Sequence, residues 1–275
     1  MYGFQRILIP STVIAFTLWL VATGWFAMRY EHKQSIAQAD NPYRFILENV
    51  GDSFERDYVI VSHSDEVIGN AKVSVSKTRN GYIIENDLSA HLSLLAISGR
   101  YDLNARLYVG EDYQLDSFNI RVSAASAKLV HLKGTVLSSA NSSQTVRMSV
   151  IMNDQAVRTF DVPVPQQFNL ADMLMPVFHA GKPVPGKEWS TQLIDPLTRK
   201  ISRANFKILD PDDIPGSKGL VSGYPVVAKF GNREFLSFVD EKGDVMWEEV
   251  PYGFILIRSD IAPILIEGYK TQEQP

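Results

Sequence analysis

Five histidines, His32, His63, His91, His131 and His179, are the side chains best suited to hold a metal or carry a proton near neutral pH. None stands in an H-E-x-x-H or H-x-H arrangement, the spacings that turn two rings toward one ion. No metal and no cofactor are therefore expected. Cysteine is absent, which excludes disulfides, thiolate metal sites, iron–sulfur clusters, a thiol nucleophile and a lipid-modified cysteine anchor. The segment from Gly181 to Lys187 approaches a phosphate-binding loop, but Glu188 stands where a magnesium-binding hydroxyl is needed. Pro183 and Pro185 also remove donors, and a strand follows where a helix should start. Gly219-Leu220-Val221-Ser222-Gly223 has the wrong spacing for a nucleophile elbow. Asp210, Asp212 and Asp213 are interrupted by Pro211 and Pro215 and read as a solvated acidic turn. Glu248 and Glu249 are neighbours along a strand, so they point to opposite faces and make no acid–base couple. No catalytic residue is assigned, and an enzyme is not expected.

What remains is apolar. The last third of the chain is dense in large rings, among them Trp189, Phe206, Phe238, Trp247 and Phe254. The segment Asn169 to His179 carries Leu170, Met173, Leu174, Val177 and Phe178 at helical spacing. Two readings stand side by side. In one, the rings and the helix fill an ordinary core. In the other, they line a cavity for an acyl chain, with the helix as its lid. The second reading names Met173, Phe178, Trp189, Phe238, Trp247 and Phe254 as ligand-binding residues.

These residues need elements to hold them. Ala71-Val73-Val75, Leu88-Ala90-Leu92-Leu94, Leu103-Ala105-Leu107-Val109, Phe118-Ile120-Val122 and Val146-Met148-Val150 alternate with polar residues. Alternation of this kind means strands with one dry face and one wet face, in an antiparallel sheet. Asn80-Gly81 predicts a hairpin with a type I′ turn. Further strands are predicted at 189–194, 201–209, 226–230, 234–239, 245–250 and 254–258, and Asp210 to Gly223 reads as a loop. The fold class is mainly β: one curved antiparallel sheet, a half-open barrel, with the 169–179 helix as a short insertion and one N-terminal transmembrane helix. Two stacked β-domains divided near residue 165 are the alternative.

Ile7 to Met28 is a run of apolar and small residues without a charge, long enough to span a bilayer. Ile7, Leu18, Trp19, Trp25 and Met28 are its anchor residues, with Trp25 at a membrane–water boundary. A cleaved signal peptide ending near Ala22-Thr23-Gly24 is the rival reading. The expected organisation is a membrane anchor at 1–33, a tether and short helix at 34–54, the β-domain at 55–265 and a flexible tail at 266–275. With 27 basic and 31 acidic residues, the net charge of -4 gives no electrostatic reason for a nucleic-acid partner.

Four stretches carry a resemblance: Pro185-Gly186-Lys187-Glu188-Trp189, Ile194-Asp195-Pro196, Phe238 to Val245 (FVDEKGDV) and Glu248 to Phe254 (EEVPYGF). Together with the strand pattern over residues 55–260, the chain resembles bacterial envelope domains of the half-open β-barrel type. These are the lipoprotein-carrier superfamily and related periplasmic domains of unknown function. The resemblance implies a concave apolar face that binds lipid or acyl chains, or senses an envelope partner. It also implies an extracytoplasmic domain; the 7–28 anchor departs from the soluble carriers, so the expected protein is a single-pass inner-membrane one with its C-terminal domain in the periplasm. The expected function is a single-pass envelope protein whose β-domain binds a lipid or other hydrophobic group, in transport or transfer. The expected partners are the membrane, a lipid or acyl chain and an inner-membrane protein. The alternative is a scaffold or accessory subunit of an envelope complex with no ligand.

Overall fold

The computed structural model describes residues 42–48, 53–62, 64–94, 97–124, 127–137, 143–152, 155–165, 182–194, 201–230, 233–250 and 254–267. The anchor 7–28, with Ile7, Leu18, Trp19, Trp25 and Met28, and the helix expected at 169–179 lie outside them. No described helix is long and apolar enough to cross a membrane.

A short helix, α1 (Pro42–Leu47), precedes a long meander of eight strands. These are β1 (Ser53–Ser62), β2 (Val67–Thr78), β3 (Gly81–Leu94), β4 (Ile97–Val109), β5 (Leu115–Ala124), β6 (Ala127–Leu137), β7 (Ser143–Met152) and β8 (Gln155–Pro165). The second part holds β9 (Glu188–Ile194), β10 (Ile201–Ile208), β11 (Asp212–Gly216), β12 (Gly219–Phe230), β13 (Arg233–Val239), β14 (Val245–Val250) and β15 (Phe254–Arg258), followed by α2 (Ala262–Leu265). The fifteen strands among the described residues belong to one antiparallel system in the order β8-β7-β6-β5-β4-β3-β2-β1-β15-β14-β13-β12-β10-β9, with β11 hung on β12. The two parts are joined where β1 pairs with β15, Tyr58 opposite Arg258 and Ile60 opposite Leu256. The chain is thus mainly β, a curved open antiparallel sheet, and the division near residue 165 is not a boundary between sheets.

Curvature has local causes. The register slips at Ile60/Val61, Tyr108/Val109, Val122/Ser123, Val150/Ile151 and Phe238/Val239. Each slip is a bulge or irregularity of the kind that bends a strand and increases its twist. One face of the sheet is largely apolar and buried. Val73, Val75, Ile84, Leu107, Phe118, Val146, Met148, Phe206, Val226 and Leu256 are buried in one cluster, the inner face. Helix α1 joins it through Tyr43 and Leu47, one turn apart and 2% and 1% exposed. On the opposite face of the meander, polar pairs run across the strands. Arg147 donates two hydrogen bonds to Asp161, at 2.8 and 2.9 Å, Lys72 meets Glu55 at 2.7 Å, and Ser149 meets Thr159 at 3.0 Å. Exposed pairs of this kind add little stability each, and they keep that face wet.

Two local expectations are corrected. The hairpin at Asn80 forms, but Thr78 pairs with Gly81, so the turn residues are Arg79 and Asn80. Of residues 78–81, Gly81 alone takes a positive φ, of 128°. A Cβ there would stand 2.1 Å from the Val109 carbonyl oxygen, so β4 requires the glycine. The segment 210–223, read as a loop, is largely the β11–β12 hairpin, with Asp212 opposite Gly223 and Gly216 opposite Gly219. Its proline sits on an edge strand, where a missing donor is tolerated. Ile214, the buried residue of that strand, packs with Ile261, Ala262 and Ile266. Ser217 and Lys218 donate their backbone N–H groups to Leu265 and Ile264.

Candidate functional site

The β11–β12 hairpin and α2 cover the outer face of the C-terminal strands and create a second apolar cluster. Val59 and Val61 of β1, Phe238, Met246 and Ile257 belong to it. Tyr58 and Ile60, one residue away on the same strand, belong to the inner face. Around β1, β13, β14 and β15 the sheet is therefore dry on both sides, as the unbroken burial of 58–61 records.

This division separates the residues expected to bind a ligand. Trp189 lies half-buried on the inner face, stacked on its cross-strand partner Phe206 with ring centroids 5.1 Å apart and planes at 10°. Phe254 packs on the same inner cluster. Phe238 and Trp247 sit on the other side of the sheet, edge to face at 5.9 Å and 81°. Met173 and Phe178 fall outside the described residues. Strand parity assigns the faces: Phe238 opposes Trp247, while Ser237 opposes Glu248 and Glu248 opposes Leu256 on the inner side.

The inner face also carries polar groups. At the end near the β13–β14 turn, Arg56 pairs with Asp244, which is 1% exposed, and lies 4.6 Å over the ring of Phe54. Asp240 accepts hydrogen bonds from the backbone N–H groups of Lys242 and Asp244, at 2.9 and 3.0 Å, and from Arg258 Nη1 at 2.7 Å. The hydroxyl of Tyr58 donates to the Val245 carbonyl at 3.3 Å. Glu248 is buried on the same side. Together these residues form a polar clasp between β1 and the C-terminal hairpin. Among the described residues no group of three His, Cys, Asp or Glu could hold a metal ion.

Burial, and then the negative charge of Glu248, push the Tyr58 hydroxyl well above its ordinary pKa of 10.0. The folded state thus holds this proton more tightly than the unfolded chain does. Stability from Tyr58 is complete below pH 10 and is lost as the pH rises toward the folded value. Tyr58→Phe is expected to flatten the fall in melting temperature above pH 10, checked by thermal scans from pH 8 to 12. An unchanged alkaline slope would remove Tyr58 as its cause.

Farther along the inner face, β3 places Asn86 between Val73 of β2 and Ala105 of β4. Asn86 is 0% exposed, and neither its Oδ1 nor its Nδ2 has a hydrogen-bond partner. Sequence reading passed over it by starting that strand at Leu88. The signal was present, since Asn86 occupies a dry-face position in the series Ile84, Asn86, Leu88, Ala90.

An open cleft of about 590 Å³ lies between the β9 approach and the β10–β11 connection, lined by Pro185, Lys207, Leu209, Pro211 and Pro225 among others. Beside it, the turn read as a defective phosphate loop spends its backbone on the sheet: Gly186 N–H donates to Ile208, and Ile208 N–H to Lys187.

No family model matches the chain, and no curated protein matches it. Among solved structures, the chain is similar to a beta-barrel-like protein of the domain of unknown function DUF1849 from Brucella abortus. The two are 11% identical, with a TM-score of 0.47, over 74% of this chain and 93% of that one.

Proposed function

We propose that this protein binds a lipidic group on the inner face of its sheet, and that the apolar segment 7–28 tethers it to the bacterial inner membrane with the β-domain in the periplasm. The observation that carries the reading is the extent of one dry face on an open sheet. It runs from Phe160 of β8 through Leu107 and Val73 to Phe206 and Trp189 at the other edge. A curved sheet leaves a concave apolar surface that must be covered. An acyl chain suits it, because burial of each methylene contributes about 0.8 kcal/mol without any directional requirement. Within this reading, Trp189 and Phe254 face the ligand, and Met173 and Phe178 belong to its cover. Phe238 and Trp247 support the sheet from behind. The likeness of the PGKEW and FVDEKGDV stretches to the lipoprotein-carrier superfamily supports the same use of the concave face. Tethering favours receiving or presenting a lipid at the membrane over free shuttling.

The test is purification of the full chain without detergent, followed by solvent extraction and mass spectrometry of the extract. Acyl lipid approaching one molecule per chain is expected, together with activity of a phosphatase fused at the C-terminus. Lipid at the level of an unrelated control membrane protein would overturn the binding reading, and an inactive fusion would overturn the placement.

A further inference from the structure

We infer that Asn86 is the polar recognition point for the neutral acyl carbonyl, ester or amide, of the bound lipid; this rests on the lipid-binding reading and adds the residue that reads the ligand's head. A carboxamide offers two N–H donors and an acceptor oxygen with two lone pairs. Here all of them are withdrawn from water and none is used. Native structures leave few such groups, because a buried polar atom without a partner opposes folding. Leucine has the same branched outline and would fit the dry-face pattern of Ile84, Leu88 and Ala90. An asparagine in that series makes sense as a group awaiting a partner that is not part of the chain. Its register neighbours, Val73 and Ala105, are apolar, which favours a neutral group over an ionised carboxylate. A carboxamide donates to an ester or amide carbonyl through Nδ2, and accepts from an amide N–H or a glycerol hydroxyl through Oδ1. Of its neighbours along that face, Leu88 and Leu103 keep partial exposure and receive the chain, while Ile84 and Leu107 on the other side are fully buried.

The experiment compares two probes that differ only at the carbonyl: 1-oleoylglycerol, an ester, and 1-oleylglycerol, the matching ether, titrated into delipidated full-length protein. An N-oleoyl amide in a third arm separates the ester from the amide source. The wild type is expected to prefer the better carbonyl probe over the ether by about tenfold, the scale of one neutral hydrogen bond in a dry site. Asn86→Leu is expected to bind ester, amide and ether alike, and to melt at a higher temperature than the wild type when lipid-free. A purely structural role for Asn86 would instead lower the melting temperature. Equal affinities in the wild type, or discrimination that survives in Asn86→Leu, would overturn the assignment while leaving lipid binding intact. Failure of all three probes to bind the wild type would overturn the lipid reading itself. Because the comparison of probes is made on the wild type, the assignment is exposed even if the leucine variant does not fold; Asn86→Val then takes its place.

Discussion

Asp244→Ala is expected to cost about 3 kcal/mol of folding stability, at the low end of what breaking a buried ion pair does. Asp244 is 1% exposed, and its partner Arg56 comes from a strand 188 residues earlier in the chain. The pair therefore ties the first strand to the β13–β14 hairpin. Two features set the magnitude. The guanidinium of Arg56 is left without its carboxylate beside an apolar ring, which opposes folding. Its side chain nevertheless keeps a third of its exposure, so water reaches it and limits the loss. Asp240 still binds Arg258 and still holds the turn, so the hairpin itself persists. Urea denaturation at pH 7 with an unchanged slope is the measurement. The double replacement Asp244→Leu with Arg56→Met should recover most of the loss, since well-packed apolar residues often replace a buried pair at little cost. A loss below about 1 kcal/mol would mean that the clasp is a surface feature, of the kind that contributes little.

The clasp also marks where sequence reasoning stops. Period two was legible wherever one side of a strand is wet. Ala71-Val73-Val75 and Leu103-Ala105-Leu107-Val109 do lie on the inner face. Strands 245–250 and 254–258 were found at their observed bounds because turn residues flank them. The pairing of β1 with β15 was not legible, because contact between chain ends leaves no local pattern. The second cluster was hidden for a related reason. Where β11 and α2 cover the outer face, β1 reads as the run Tyr58-Val59-Ile60-Val61, and a run carries no facing information. Phe238 and Trp247 were grouped with Trp189 and Phe254 by residue type, and parity along β13 and β14 puts them on the other side. The β11 strand was missed because Pro211, Pro215 and three aspartates look like a loop. Ile214 alone speaks for a strand, and it is buried only because α2 follows about 45 residues later. Asn86 was the most readable omission, a polar residue at a dry position.

The two faces can be told apart by experiment through Leu107→Ala and Ile257→Ala. Leu107 is 0% exposed on the inner face, with Ile84 and Phe118 as its cross-strand neighbours. Ile257 is 4% exposed in the second cluster, opposite Val59 and Trp247. In delipidated protein both truncations are expected to cost about 3 kcal/mol, the lost transfer of the removed methyl groups plus the cavity left behind. Adding 1-oleoylglycerol should separate them. A flexible acyl chain on the inner face reoccupies part of the space beside residue 107, restoring dispersion contacts that the alanine lost. The lipid-induced rise in melting temperature should therefore be larger in Leu107→Ala than in the wild type. Ile257→Ala lies behind the sheet, under α2 and β11, where the chain cannot reach. Its lipid-induced rise should match that of the wild type, because binding to the native state adds the same free energy when the site is untouched. Equal rises in all three proteins would mean that the inner face is a closed core. A larger rise in Ile257→Ala alone would move the ligand to the side of Phe238 and Trp247.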